Sequence, residues 1–451
     1  MNPNRLSPAM PFSEGMAQIF SPVNTVQRML DVEAALAQAL ATEGMIPPDA
    51  AQAIVDTCVA ATMDLDALAR DASDAGNLAI PLVRQLTARV AAHNPEAARH
   101  VHWGATSQDV IDTGMVLQLR EALQLMNREL AELGDAIAAL TQRYRSVPVM
   151  GRTWMQHALP ITFGLKAAGW LDAVLRHQDR VTLLAERIGA VQFGGAAGSL
   201  ASLGDQGLAV AHALAHQLEL ELPAVPWHGH RDRVCEVATT LGLLTGTLGK
   251  IARDISLQTQ TEVAELSEPA ARGRGGSSTM PHKRNPVGCA AVLAASVRVP
   301  ALVSTMLSAM VQEHERALGG WQAEWDTLPQ ITELAAAALT ALRQVIEGLQ
   351  VDESRMRTNI ELTRGLVMAE AISLALSRHL GRAAAHELVE SACAEALRTG
   401  ATLQEVLQTD SRVAKYLNTT VLEQLFDPSR YLGEAMAFTD RVLAAHQRHK
   451  A

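Results

Sequence analysis

Aromatic side chains make up only 3% of the 451 residues, and runs of β-branched residues are scarce beside the abundant alanine and leucine. Helix formers therefore outnumber strand formers almost everywhere, and an all-α fold is expected. Cysteine is nearly absent. Cys58, Cys235, Cys289 and Cys393 lie far apart and form no CxxC pair, which argues against a disulfide scaffold and reads them as small buried apolar residues in a reducing cytosol. Positive charge is also short, with 38 Lys and Arg against 48 Asp and Glu and a net charge of -10. A nucleic-acid or anionic membrane surface needs a basic footprint, so neither partner is expected, and any anion site must be local. No uninterrupted apolar run reads as long enough for a bilayer, since even 289–303 contains Arg298. The opening MNPNRLSPAMPFSEG lacks the apolar core of a signal peptide, and a soluble cytoplasmic protein is expected. There is no GxxxxGK[ST] loop, short-period repeat or low-complexity tract.

What the chain does have is apolar periodicity. From Val116 the apolar positions run Leu119, Leu123, Met126, Leu130, Leu133, Ile137, Leu140, alternating three and four, which is one long helix of about 35–40 Å. A second stripe runs from Phe163 through Trp170 and Val181 to Ile188, and a third from Val237 through Leu244 to Ile255. Segments 289–312 and 331–349 carry two more. Five long helices imply a central bundle at 113–351, flanked by shorter helices in an N-terminal domain at 1–112 and a C-terminal domain at 352–451. Stripes this long exceed what one bundle usually covers, so burial between subunits of a homo-oligomer is expected.

Three polar segments interrupt this helical text. In HWGATSQD (102–109), Gly104, Thr106 and Ser107 offer a small turn, hydroxyls and free backbone N–H groups at a helix start, which suits a carboxylate; taken alone, the segment reads more simply as an ordinary N-cap by Thr106, Ser107 or Asp109. In GRTWMQHALPITFG (151–164), Arg152 is a candidate bidentate clamp, or the segment is a polar helix start punctuated by Pro160. In GRGGSSTMPHKRNP (273–286), Gly273, Gly275 and Gly276 loosen the backbone, Ser277 and Ser278 supply hydroxyls, and His282, Lys283 and Arg284 supply positive field. In that field a serine alkoxide becomes accessible. His212 and His216 lie four apart, with His228 and His230 following, but HALAH lacks the Glu of HExxH and reads as a solvated helix face.

Together the three segments, in order and spacing, resemble the three signature regions of the fumarase/aspartase superfamily. That resemblance implies an all-α homotetramer with a twenty-helix core and active sites shared among three subunits, working without metal, nucleotide or redox cofactor. It places proton abstraction on Ser277, carboxylate and enediolate stabilisation on Lys283 and Asn285, carboxylate binding on Thr106 and Ser107, and substrate contacts on Thr153 and Gln156. His102 falls where purine-pathway members have a histidine near the substrate, and Arg152, His282 and Arg316 supply positive charge in or near the motifs. The Gly-rich run 194–207 is similar to a substrate-side loop.

One position departs from the pattern. Many members read GRTH where this chain reads GRTW, so Trp154 replaces the general acid that protonates a departing amine or oxygen. Such an acid is worth roughly 10²–10⁴ in rate when the leaving group is a strong base. A carboxylate, with a pKa of about 4, needs little help to leave. Trp154 therefore points to a carboxylate as the leaving group, and the branch of the family that the chain resembles has one: there, by resemblance, a carboxylate adds to or leaves from its own carbon skeleton, forming or opening a lactone of a small unsaturated tricarboxylate. The rival is an adenylosuccinate- or argininosuccinate-type lyase releasing fumarate. Against it stands 314–325, HERALGGWQAEW, with Gly319, Gly320, Trp321 and Trp325 in place of phosphate-gripping residues.

Overall fold

The computed structural model describes residues 13–269 and 275–450. The opening segment up to residue 12, and Gly273 with its neighbour Arg274 at the head of the third polar segment, lie outside them.

The expected long helices are present, and all but the second begin earlier than their stripes. They span Ser107–Arg143, Phe163–Arg187, Asp232–Gln258, Val287–Ala309 and Gly320–Glu347. The first has 37 residues, about 55 Å at 1.5 Å per residue, because it begins at the Thr106-Ser107 cap rather than at Val116. Its stripe from Val116 to Leu140 is buried throughout, as are Val237, Leu241, Leu244, Leu248, Ile251 and Ile255. These stripes are thus covered within the single chain, and they no longer call for a second subunit. The uncovered apolar surface lies elsewhere: Val297 is 76% and Val311 85% exposed, and Leu243, Leu307 and Leu318 also face outward.

Two findings correct the sequence reading. The fold is mostly rather than wholly helical, since Pro148–Thr153 pairs antiparallel with Gln156–Thr162 and Leu266–Ser267 with Gln350–Val351. And the Val287–Ala309 helix, with a mean hydropathy of 1.8, is long and apolar enough to cross a membrane despite Arg298. That is weak evidence for a span, because one face of the helix, Val292, Ala295, Val299 and Met306, is packed into the protein core.

Contacts cluster the described residues into two compact units. Within the described residues, one comprises 13–130, His177–Gly249 and Ala291–Ala341; the other comprises Ala131–Arg176, 250–269, 275–290 and 342–450. The core of the second joins Met150 to Ile360, Met368, Ile372, Leu376, Leu403 and Leu407. Cys58, Cys235 and Cys289 are buried free thiols and Cys393 is half-buried. Burial, followed by the nearby Glu324 carboxylate, pushes Cys235 up to about 12.

Candidate active site

The first polar segment belongs to the first unit, and Asp109 organises it. This carboxylate is buried and accepts four hydrogen bonds: from Gly194 N and His228 Nε2 on Oδ1, at 3.0 and 2.7 Å, and from Gly195 N and Thr106 N on Oδ2, both at 2.9 Å. The bond from Thr106 N closes the first turn of the Ser107–Arg143 helix, so Asp109 satisfies an end that would otherwise hold open donors. It also fixes the Gly-rich run against the segment. Thr106 and Ser107 are half-buried at the helix start, and their hydroxyls make no hydrogen bond to other described residues. His102 has a left-handed backbone, φ 61°, and its Nδ1 lies 2.5 Å from Glu33 Oε1.

Arg316 joins this group. Its Nε donates to Gln108 Oε1 at 3.1 Å and Nη2 donates to the Ala196 carbonyl at 3.2 Å. Gln108 is itself held by Asp112 Oδ2 and the His228 carbonyl. Trp321 lies in the core, donating Nε1–H to Asp112 at 2.9 Å and packing edge-on against Trp325. His212, His216 and His230 are exposed, and among the described residues no group of three His, Cys, Asp or Glu is placed to hold a metal.

The second segment, in the second unit, is a β-hairpin rather than a helix start. Thr153 pairs with Gln156 and Arg152 with His157, leaving a two-residue loop, Trp154-Met155, with φ of 52° and 65°. Positive φ at both loop residues gives the turn the twist of its strands, but Asn and Gly usually supply it, and bulky side chains are strained there. Trp154 is 98% exposed at this tip. At the bulge below, Gly151 is required: a Cβ would sit 2.7 Å from the Leu159 carbonyl oxygen. Arg152 does clamp a carboxylate with both arms, and it is that of Glu265, at 2.6 and 2.9 Å. Glu265 is fully buried and takes a further bond from Asn359, so it needs this cation. His157 is held below its ordinary range by burial and then by Arg152, so it stays neutral at pH 7 and does not stand in for an acid at 154.

The third segment, also in the second unit, is a loop closed on itself. Asn285 N donates to the Gly275 carbonyl at 2.8 Å, and Gly276 bridges to Arg284. Gly275, at φ 68°, leaves no room for a Cβ, which would lie 2.5 Å from the Asn285 oxygen. Ser277 Oγ accepts from Met280 N at 3.0 Å and Thr279 N at 3.3 Å. His282 and Lys283 are exposed and Asn285 is half-buried. Met280, Lys283, Arg284 and Asn285, with Glu268 and Asp352, line a cleft of about 1560 Å³. Glu268 accepts from Gly288 N and Cys289 N at 3.0 and 2.7 Å, which caps the next helix and anchors the loop's end. Thus His102, Thr106, Ser107 and Arg316 fall in one unit, and Arg152, Thr153, Trp154, Gln156, Ser277, His282, Lys283 and Asn285 in the other.

A family model described as lyase matches residues 12–301, and one described as adenylosuccinate lyase C-terminus matches 365–442. The chain is 51% identical to the 3-carboxy-cis,cis-muconate cycloisomerase of Pseudomonas aeruginosa, over 98% of this chain and 96% of that one. It is 50% identical to the enzyme of the same name from Bradyrhizobium diazoefficiens, over 94% of each. Its structure is similar to that of the 3-carboxy-cis,cis-muconate lactonizing enzyme from Pseudomonas putida, with a TM-score of 0.94, 48% identity and 98% of each chain covered. By its three motifs, their placement and these matches, the chain belongs to the lyase family of the fumarase/aspartase superfamily.

Proposed function

We propose that this chain interconverts 3-carboxy-cis,cis-muconate and 4-carboxymuconolactone, a step of protocatechuate breakdown through β-ketoadipate. The observation that carries the reading is Trp154, an indole at the exposed tip of the hairpin where a lyase would need its acid. In the lactonising direction a muconate carboxylate oxygen forms a C–O bond to one end of the C=C. The π electrons move to the other end and into its carboxylate, giving an aci-carboxylate. Ser277 then delivers its proton to that carbon and is left as the alkoxide, which solvent reprotonates before the next turnover; in the reverse β-elimination the alkoxide takes the proton from that carbon. Lys283 and Asn285 stabilise the aci-carboxylate by charge and hydrogen bonding. Thr106, Ser107 and Arg316 bind carboxylates, with His102 beside them. Thr153 and Gln156 on the hairpin contact the substrate, His282 adds a donor beside Lys283, and Arg152, paired with Glu265, holds the hairpin that carries them. No step requires a metal, nucleotide or redox cofactor.

The buried position of Trp321 supports this reading over a nucleotide lyase, because that stretch presents an apolar core residue where a phosphate would need donors. We further propose the three-part plan 1–112, 113–351 and 352–451 and a cytoplasmic homotetramer with a twenty-helix core, in which three subunits supply the three segments of each site. The exposed apolar residues Val297, Leu307 and Val311 support burial of that face between subunits.

The test is the ultraviolet absorbance of 3-carboxy-cis,cis-muconate mixed with enzyme pretreated with a chelator. Loss of the diene signal with lactone as product is expected; an unchanged signal, with fumarate released from adenylosuccinate or argininosuccinate, would move the chain to the lyases. Trp154→His should bring no gain in cycloisomerisation rate, since a carboxylate leaving group wants no acid. A large gain, measured in the same assay, would overturn the argument from Trp154.

A further inference from the structure

Glu33 lies on the buried face of the Pro22–Thr42 helix, in the company of Met29, Leu30 and Leu36, and is 1% exposed. A carboxylate so deep in apolar surroundings is rare unless paired. Its Oε1 meets His102 Nδ1 at 2.5 Å, while its Oε2 has no hydrogen-bond partner among the described residues. The imidazole is thus the group that compensates this carboxylate. It is also the group that reaches outward: the His102 side chain is 20% exposed, and with Nδ1 committed inward, Nε2 is the nitrogen left for a ligand. The left-handed backbone at His102 is a cost of this orientation, of the kind that structures retain at functional sites.

We propose that Glu33 is a positioning residue for the reaction, holding His102 as a cationic Nε2–H donor to one carboxylate of the tricarboxylate substrate. The proposal rests on the functional reading above and specifies what His102 does in it. The electrostatics around the ring agree. Burial disfavours the imidazolium, but Glu33, and beyond it Asp109 at the start of the Ser107–Arg143 helix, outweigh burial and hold His102 above its ordinary range. Asp109 is itself engaged by His228. The Cys58 thiol, which also feels Glu33, is raised by burial, Glu33 and Asp31, stays neutral and adds no charge. As pH rises through the raised His102 value the donor loses its charge, so substrate affinity is present below that pH and lost above it.

The experiment compares wild type with Glu33→Gln, which keeps the side chain's shape and removes its charge, and with Glu33→Asp. kcat and KM for 3-carboxy-cis,cis-muconate are measured across pH, and binding of the saturated tricarboxylate tricarballylate is measured by calorimetry, which needs no turnover. Glu33→Gln should raise KM and weaken tricarballylate about tenfold at pH 7.5, through the smaller fraction of imidazolium left once the carboxylate beside it is gone. It should change kcat little, and should move the alkaline limb of kcat/KM to lower pH, with Glu33→Asp restoring part of each. An unmoved limb with unchanged tricarballylate affinity would overturn the proposal. So would equal losses in both variants at every pH, which is what a merely structural Glu33 predicts. Should Glu33→Gln not fold, His102→Gln carries the test: its tricarballylate affinity should lose its alkaline limb, and a retained limb would overturn the assignment. Failure of the cycloisomerase reading would instead show as absent turnover in wild type, with the calorimetric comparison still readable.

Discussion

Ser277→Ala should lower kcat by about 10²–10⁴-fold, the usual worth of a proton carrier, while KM stays within a few-fold of wild type. The reason lies in how the loop holds the hydroxyl. Ser277 Oγ accepts two backbone N–H bonds, from Thr279 and Met280. Donors aimed at an oxygen favour its charged form, so they lower the cost of an alkoxide. Exposed Lys283 and Arg284 on the same loop add positive charge. Alanine removes the proton carrier but not the frame, because the bond from Asn285 N to the Gly275 carbonyl and the Gly276–Arg284 bridge are made by backbone. The two N–H groups left without an acceptor belong to exposed residues, where water replaces Oγ at small cost. Steady-state kinetics with the diene absorbance reads both constants. A kcat near wild type would remove Ser277 from the mechanism, and a KM raised as steeply as kcat falls would make it a binding residue instead.

The long helices were legible because apolar spacing is a property of the chain itself: burial of Leu119, Leu123, Met126, Leu130 and Leu133 follows directly from their alternation of three and four. The hairpin was not legible. A two-residue turn of this kind is announced by Asn-Gly or Asp-Gly, and Trp154-Met155 gives no such signal. The partners of the motif residues were also hidden, since each is a polar residue set within an apolar pattern far away in sequence. Glu33 sits 69 positions from His102 and Glu265 sits 113 from Arg152. For Glu33 the one visible mark is a carboxylate where the helical stripe calls for an apolar side chain; Glu265, between a helix end and the short strand Leu266–Ser267, carries no such mark. For Asp109 the mark was readable in part, as one of three candidate caps at the helix start, but nothing in the sequence pairs it with Gly194, Gly195 and His228. Charge within the motifs was readable too, but not its state of engagement: the fork of Arg152 is occupied by Glu265, and Arg316 is tied to Gln108 and Ala196.

The largest effect on stability should come from Arg231→Met, an expected loss of about 3–5 kcal/mol at neutral pH. Arg231 is fully buried and lies between two buried carboxylates. It donates to Asp112 at 2.6 and 3.1 Å and to Glu324 at 2.6, 3.0 and 3.1 Å, with its guanidinium 4.9 Å from the Trp227 ring centre. Methionine fills much of the same volume but leaves two carboxylates in the core without their cation. Asp112 would keep Gln108 and Trp321 as donors, and Glu324 would keep Gln312, so the defect falls short of two bare charges. Its pH dependence has a definite sign. Burial already raises Glu324 even with Arg231 beside it; without the arginine, the folded state would hold a proton that the unfolded state releases. Stability of the variant should therefore fall as pH rises from the unfolded carboxylate value, about 4.3, toward the raised folded value, and the gap from wild type should narrow in acid. Unfolding midpoints measured between pH 4.5 and 8 check both the size and the slope. Glu324→Gln in the same chain should recover part of the loss by removing one stranded charge, and it should flatten the pH dependence. A midpoint unchanged by Arg231→Met would mean that the cation is not what holds the two carboxylates in place. The same cluster reaches the candidate site through Asp112, Gln108 and Arg316. The variant that does fold at low temperature should accordingly show a raised KM, because Gln108 would be free to turn its amide toward the vacant carboxylate oxygens and release Arg316.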